Sequence, residues 1–144
     1  MHVITGGAYN GKARWVKEHY QLENNLYLWL DASKDSVPQD LSQFKSNIVV
    51  LAAIERLLLN KLKTNHTDID RDYGKVLIKQ WAEWEKEIPE RQLIIIGNDI
   101  SKGIVPMSGL ERTWRDLTGW FYQDLVAVSN RVDYIWYGIA KQLK

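Results

Sequence analysis

A β-branched run, Val3-Ile4-Thr5, enters Gly6-Gly7-Ala8-Tyr9-Asn10-Gly11-Lys12, and Trp15, Val16 and Tyr20 then recur among charges at helical spacing. Few folds pass from strand to helix through such a loop. The segment follows the P-loop pattern G-x-x-x-x-G-K-[ST] at Gly6, Gly11 and Lys12 and departs from it at Ala13. In that pattern backbone amides wrap phosphate oxygens, the lysine neutralises the outer phosphates and the hydroxyl ligates Mg²⁺. Gly6, Gly7, Ala8, Tyr9, Asn10, Gly11, Lys12 and Ala13 are therefore the candidate phosphate cradle for ATP or GTP, with Mg²⁺ deprived of one protein ligand at Ala13. The alternative is a tight turn that needs glycine only for its backbone angles.

Further apolar runs alternate with helical patterns, the signature of parallel βαβ units in an α/β fold with a mainly parallel sheet flanked by helices. Candidate strands are His2 to Thr5, Leu26 to Leu30, Ile48 to Leu51, Leu93 to Ile96 and Asp133 to Tyr137. Candidate helices are Lys12 to Tyr20, Ala53 to Leu62, Ile69 to Ile88 and Ser108 to Ser129. The third helix carries Tyr73, Leu77, Trp81, Trp84 and Ile88 on one face, and the fourth carries Leu110, Trp114, Leu117, Phe121, Leu125 and Val128. Such stripes are what helix-on-sheet packing or a subunit interface requires. Asp31 to Ser46 and Thr64 to Asp68 read as irregular surface stretches, and no domain boundary interrupts residues 1–144.

Charge removes other classes of function. A net charge of +1 with both signs dispersed leaves no basic patch for nucleic acid. No cysteine is present for disulfides, thiolate metal sites or thiol nucleophiles, and His2, His19 and His66 are scattered. No apolar run approaches the roughly twenty residues of a membrane span, so a cytoplasmic location is expected.

In an open parallel sheet, ligands sit beyond the carboxyl ends of the strands. Those ends carry the glycine loop, Asp31, Ala52 followed by Glu55, Asn98-Asp99, and Tyr137-Gly138. Asp31 and Glu55 are candidate metal-organising carboxylates, and Lys12, Asp31 and Asp99 are candidate catalytic groups. For Glu55 the alternative is an ordinary acid on a helix surface.

The string Ile94-Ile95-Ile96-Gly97-Asn98-Asp99-Ile100-Ser101-Lys102-Gly103-Ile104-Val105-Pro106 precedes Arg112, Arg115, Asp116, Gly119 and Gln123. With the opening T-G-G-A-x-x-G-K, this resembles the bifunctional adenosylcobinamide kinase / adenosylcobinamide-phosphate guanylyltransferase family. The family's corresponding segments are T-G-G-x-x-S-G-K-S, N-E-V-G-x-G-I-V-P and R-x-x-R-D-x-x-G-x-x-N-Q. Asp99 stands at the family's Glu and Tyr122 at its Asn. The likeness is close over residues 3–12 and from about residue 92 onward, and loose between them.

The resemblance implies a RecA-like P-loop NTPase fold and a homo-oligomer. It further implies phosphoryl transfer from ATP or GTP to adenosylcobinamide, then GMP transfer through a histidine on a segment after strand two. No histidine lies between His19 and His66, so the guanylyltransferase half is expected to be lost. Two expected Mg²⁺ contacts coincide with Ala13 and Ala52, while Arg112 and Arg115 are candidates for phosphate or interface contacts. The competing expectation is a non-catalytic nucleotide-binding or assembly protein descended from the same family.

Overall fold

The computed structural model describes residues 1–64, 69–102 and 107–144. The chain runs β1 (His2–Thr5), α1 (Lys12–His19), a 3-10 turn (Leu22–Asn24), β2 (Tyr27–Asp31), β3 (Ile48–Ala52), α2 (Ile54–Thr64), α3 (Arg71–Glu87), β4 (Gln92–Ile96), α4 (Gly109–Val128), β5 (Arg131–Trp136) and β6 (Ile139–Gln142). One six-stranded sheet has the order β2-β3-β4-β1-β5-β6, parallel except for the final β5–β6 pair. This is the expected mainly parallel α/β sheet.

Alternation along the strands divides the core, because successive side chains leave opposite faces. Val3, Val49, Leu51, Leu93 and Ile95 point to the face covered by α2, α3 and α4, where Leu58, Leu77, Trp81, Phe121 and Leu125 meet them. Ile4, Val50, Ala52, Ile94 and Ile96 point the other way, toward Val16 of α1 and Leu22. The central runs are apolar at every position because both faces are covered. Each fully buried Leu or Ile contributes about 1.5–3 kcal/mol on transfer from water.

Trp81, Trp84 and Phe121, aromatic members of the expected stripes, are core. Trp81 is fully buried, meets Phe121 edge-on and donates its indole N–H to the Pro38 carbonyl at 3.2 Å. The expected stripes run too far at their ends. Asp70, not Ile69, caps α3 by accepting from the Asp72 and Tyr73 amides, and Pro89 forces Ile88 into extended backbone, so Ile88 leaves the helix and faces solvent. Leu110 and Val128 are also exposed, because a helix as long as α4 spans about 30 Å against roughly 17 Å for a five-residue strand.

Sequence periodicity misses β6. Trp136 pairs with Ile139 across Tyr137-Gly138, and both turn residues have positive φ, as a two-residue type I′ hairpin requires. Carrying strand five through Tyr137 hid that turn. The β2–β3 crossover, residues 32–47, has no helix; Val37 and Leu41 pin it to the core. Part of the other expected irregular stretch, together with His66, lies outside the described residues, as does Gly103–Pro106.

At the sheet's amino edge, remote from the glycine loop, lies a buried polar cluster. His2 Nε2 meets Asp133 at 2.6 Å and Nδ1 meets the Tyr20 hydroxyl at 2.6 Å. Arg131 also donates to Asp133 and its guanidinium approaches His19, which stacks on Trp15. A neutral His2 satisfies both bonds, donating from Nε2 and accepting at Nδ1, since Arg131 already supplies the cation for Asp133. Burial lowers the His2 pKa to about 4 despite the opposing pull of Asp133.

The unfolded chain therefore binds a proton between about pH 6.5 and 4 that the native chain does not, and stability should fall as pH drops through this window, by on the order of 3 kcal/mol. Asp133, whose pKa is lowered, loses its own contribution only below the usual aspartate value of 3.8. Urea denaturation at pH 7 and pH 4.5 should show the loss in the wild type and a much smaller one in His2→Gln.

Candidate functional site

The glycine loop owes its path to contacts that a side chain would block. Gly6 has φ of +148°, and a Cβ there would lie 2.2 Å from the Ile135 carbonyl oxygen of β5. Gly11, at φ +87°, forms the left-handed N-cap of α1 and offers no capping side chain. The first N–H groups of α1 thus lack both intrahelical acceptors and a side-chain cap. No acid lies in that first turn. A helix end of this kind, at the carboxyl edge of β1, favours an anion.

Lys12 lies beneath the loop with 7% of its surface exposed. Its ammonium donates to the Gly7 carbonyl at 2.6 Å, Asn98 Oδ1 at 2.7 Å and the Gly6 carbonyl at 3.3 Å. Asn98 is held in turn by Glu55: its backbone N–H donates to Oε2 at 3.1 Å and its Nδ2 donates to Oε1 at 2.7 Å. Burial lowers the Lys12 pKa, and the Glu55 charge opposes that shift. Three strand ends, β1, β3 and β4, are joined by one chain of polar contacts.

Glu55 reaches this position because Ala53, at φ +53°, turns the chain sharply between β3 and α2. At 2% exposure Glu55 is no surface acid, which removes the alternative reading of this residue. Trp114 of α4 donates to its carbonyl at 2.7 Å, and the Tyr122 hydroxyl donates to the Asn98 carbonyl at 3.0 Å. Burial, with Glu55 and Asp99 nearby, pushes the Tyr122 pKa well above the usual range, so it stays a donor.

The other candidates divide. Asp99 adjoins the loop, its N–H donating to the Gly6 carbonyl at 3.1 Å. Burial pushes its pKa up, but hydrogen bonds from Ser101 and the charges of Lys102 and Arg115 outweigh this, and the net shift is downward. Asp31 ends β2, the outer strand; β3 and β4 separate it from β1, a lateral distance of about 14 Å. Its carboxylate accepts from the Ser33 amide and hydroxyl. The structure therefore joins Lys12, Asn98, Glu55 and Asp99 and leaves Asp31 outside their network. Arg115 donates to the Ser101 carbonyl and Arg112 to the Met107 carbonyl.

The donors do not compose a protein-held Mg²⁺ site. Ala13 has no hydroxyl, Ala52 ends β3 where a carboxylate would serve, and both Glu55 oxygens receive Asn98 N–H groups. Among the described residues no group of three or more His, Cys, Asp or Glu side chains is placed to hold a metal. His2 and His19 belong to the opposite edge of the sheet, and the β2–β3 crossover contains no histidine.

Sequence reading missed two features. Asn98 stands out in the sequence only as a strand-end residue, although an amide is suited to bridging a lysine and a carboxylate. The β5–β6 hairpin closes on the loop through Gly138 N–H to the Asn10 carbonyl at 2.8 Å. Beside it, a cavity of about 460 Å³ opens between Tyr9, Arg14 and Trp15 on one side and Tyr137 and Gly138 on the other. A two-residue aromatic-Gly spacing between apolar runs was the available signal.

The sequence profile of the CobU family, cobinamide kinase / cobinamide phosphate guanyltransferase, matches residues 16–143. The match begins within α1, so the loop at residues 6–12 rests on its own geometry. No curated protein matches the chain significantly. Among the described residues no helix is long and apolar enough to cross a membrane.

Removing the Asn98 side chain leaves Lys12 and Glu55 each short of a buried partner. Asn98→Ala should destabilise the fold by about 1–3 kcal/mol in urea denaturation, whereas Asp31→Asn, which alters a surface turn, should change it by less than about 0.5 kcal/mol.

Proposed function

The chain belongs to the cobinamide kinase / cobinamide phosphate guanyltransferase family, and on that premise we propose that it is a kinase of cobalamin biosynthesis without the guanylyl-transfer half. The carrying observation is Lys12, buried beneath an uncapped helix N-terminus and held in register by Asn98 and Glu55. In this reading the triphosphate of ATP or GTP lies across residues 6–13 and its β- and γ-phosphates draw the Lys12 ammonium away from Asn98 or share it. The nucleoside extends into the cavity between Tyr9, Trp15 and Tyr137.

The acceptor hydroxyl of the cobinamide attacks the γ-phosphorus, forming one P–O bond as the bond to the β–γ bridging oxygen breaks. The nucleoside diphosphate leaves with that electron pair, and the hydroxyl proton passes to the Asp99 carboxylate. A weakly basic aspartate suffices where proton transfer is late in a loose transition state. Asp31 has no part in these steps. Mg²⁺ enters as the nucleotide's own counter-ion, because this chain offers it so few ligands, and no step is assigned to it.

Loss of guanylyl transfer is supported by the position of His2 and His19 at the far edge and by the histidine-free β2–β3 crossover. A homo-oligomer is part of the same reading, supported by exposed Trp120, Trp136 and Ile139; sedimentation velocity tests it.

Calorimetric titration with ATP and GTP should give binding that Lys12→Ala weakens by about ten- to a hundredfold, the worth of a charge-assisted contact. Replacing Mg²⁺ by EDTA should weaken it by less than about tenfold. Absence of binding at millimolar nucleotide overturns the proposal. Binding without phosphoryl transfer to adenosylcobinamide selects the non-catalytic nucleotide-binding alternative. Incubation with radiolabelled GTP should leave no acid-labile histidine adduct, and the appearance of one restores the guanylyl-transfer half.

A further inference from the structure

A second cavity, of about 300 Å³, lies on the α4 side of the sheet, bounded by Thr5, Asp99 and Tyr134 and by Thr118, Gly119 and Tyr122 of α4. The three α4 residues fall at i, i+1 and i+4, and Arg115 and Val126 extend the same wall. The cavity adjoins the glycine loop through Asp99, whose N–H bonds the Gly6 carbonyl, and adjoins the Lys12 network through Tyr122, whose hydroxyl bonds the Asn98 carbonyl.

Two observations set this space apart from a packing defect. The Thr118 hydroxyl is buried to 1% exposure and has no hydrogen-bond partner among the described residues. A buried hydroxyl without a partner is costly, and valine has nearly the same shape without that cost. Beside it, Gly119 occupies the middle of a 20-residue helix, where only proline is less favourable than glycine. Nothing in the fold demands that glycine, since a Cβ built there meets no heavy atom within 4 Å. The helix thus carries two residues poor for its own stability, side by side, at the wall of one cavity.

We propose that this cavity is the acceptor subsite of the kinase, and that it takes the short hydroxyalkyl-amide arm of the corrinoid while the macrocycle stays outside. This rests on the kinase reading above. The volume admits a chain of a few carbons and is far too small for a corrin ring. The Thr118 hydroxyl pairs with the arm's amide, the open surface at Gly119 admits its carbons, and the terminal hydroxyl meets Asp99 at the edge nearest the loop. Donor phosphate and acceptor then approach from opposite faces of β1, with α1 on one and α4 on the other.

The test is equilibrium dialysis of adenosylcobinamide, with 1-acetamido-2-propanol as a competitor representing the arm alone, alongside ATP titration of the same proteins. Thr118→Val should weaken corrinoid binding about tenfold, the worth of one hydrogen bond, and leave ATP affinity unchanged. Gly119→Leu, which fills the space, should abolish corrinoid binding and competition by the small amide while sparing ATP. Gly119→Ala and Thr118→Val should each raise the melting temperature by about 2–4 °C, since neither residue serves the empty fold. Unchanged corrinoid affinity in Gly119→Leu and Thr118→Val, with the wild type binding, places the arm elsewhere and overturns the subsite alone. Loss of ATP binding together with corrinoid binding in Thr118→Val overturns it as well. A wild type that binds ATP but no corrinoid at millimolar concentration overturns the kinase reading and the subsite together.

Discussion

The contact on which the site depends is a buried cation and a buried anion that do not touch. Lys12 and Glu55 are both nearly inaccessible, and Asn98 stands between them, accepting from one and donating to the other. An isolated charge in such surroundings costs several kcal/mol or shifts to its neutral form. The amide lets two charges on separate strand ends neutralise one another at a distance, and it leaves the lysine free to exchange one acceptor for another without stranding the carboxylate. A direct Lys–Glu pair in the same place would resist the arrival of an anion far more strongly.

This arrangement clarifies what the substitutions relative to family expectation have changed. Ala13 and Ala52 carry no side-chain donor for a metal, and the β2–β3 crossover is a loop pinned by Val37 and Leu41. None of these changes reaches the lysine, the asparagine or the buried glutamate. The electrostatic centre of Lys12, Asn98 and Glu55 and the path of the glycine loop stand beside these positions without depending on them.

How much of this was legible in the sequence follows from the range of each interaction. The strands His2–Thr5 and Ile48–Ala52 and the interior of α3 were readable because burial on both faces, or on one helical stripe, writes its period directly into residue order. The ends of α3, and the exposure of Leu110 and Val128 within a correctly bounded α4, escape the pattern because hydrophobic spacing continues beyond the sheet that covers it, and only Asp70 and Pro89 mark where α3 truly stops. The β6 strand is a four-residue edge strand, Ile139–Gln142, too short and too exposed to write a periodic signal. In the site, Lys12 and Asp99 were visible through local motifs. The role of Asn98 was not, since it depends on Ala53 turning Glu55 beneath it from 43 residues away.

Gly6 has a bearing on how such chains are compared. Its hydrogen atom lies where any side chain would strike the backbone of β5, so the residue is fixed by strand packing before any phosphate is considered. A lineage that abandoned nucleotide chemistry altogether would still be held to glycine there, because the cost of changing it falls on the sheet. Persistence of that first glycine among relatives is therefore a record of architecture, and joint replacement of Lys12, Asn98 and Glu55, whose contacts are with one another and with the loop, is where abandonment of the chemistry would become visible.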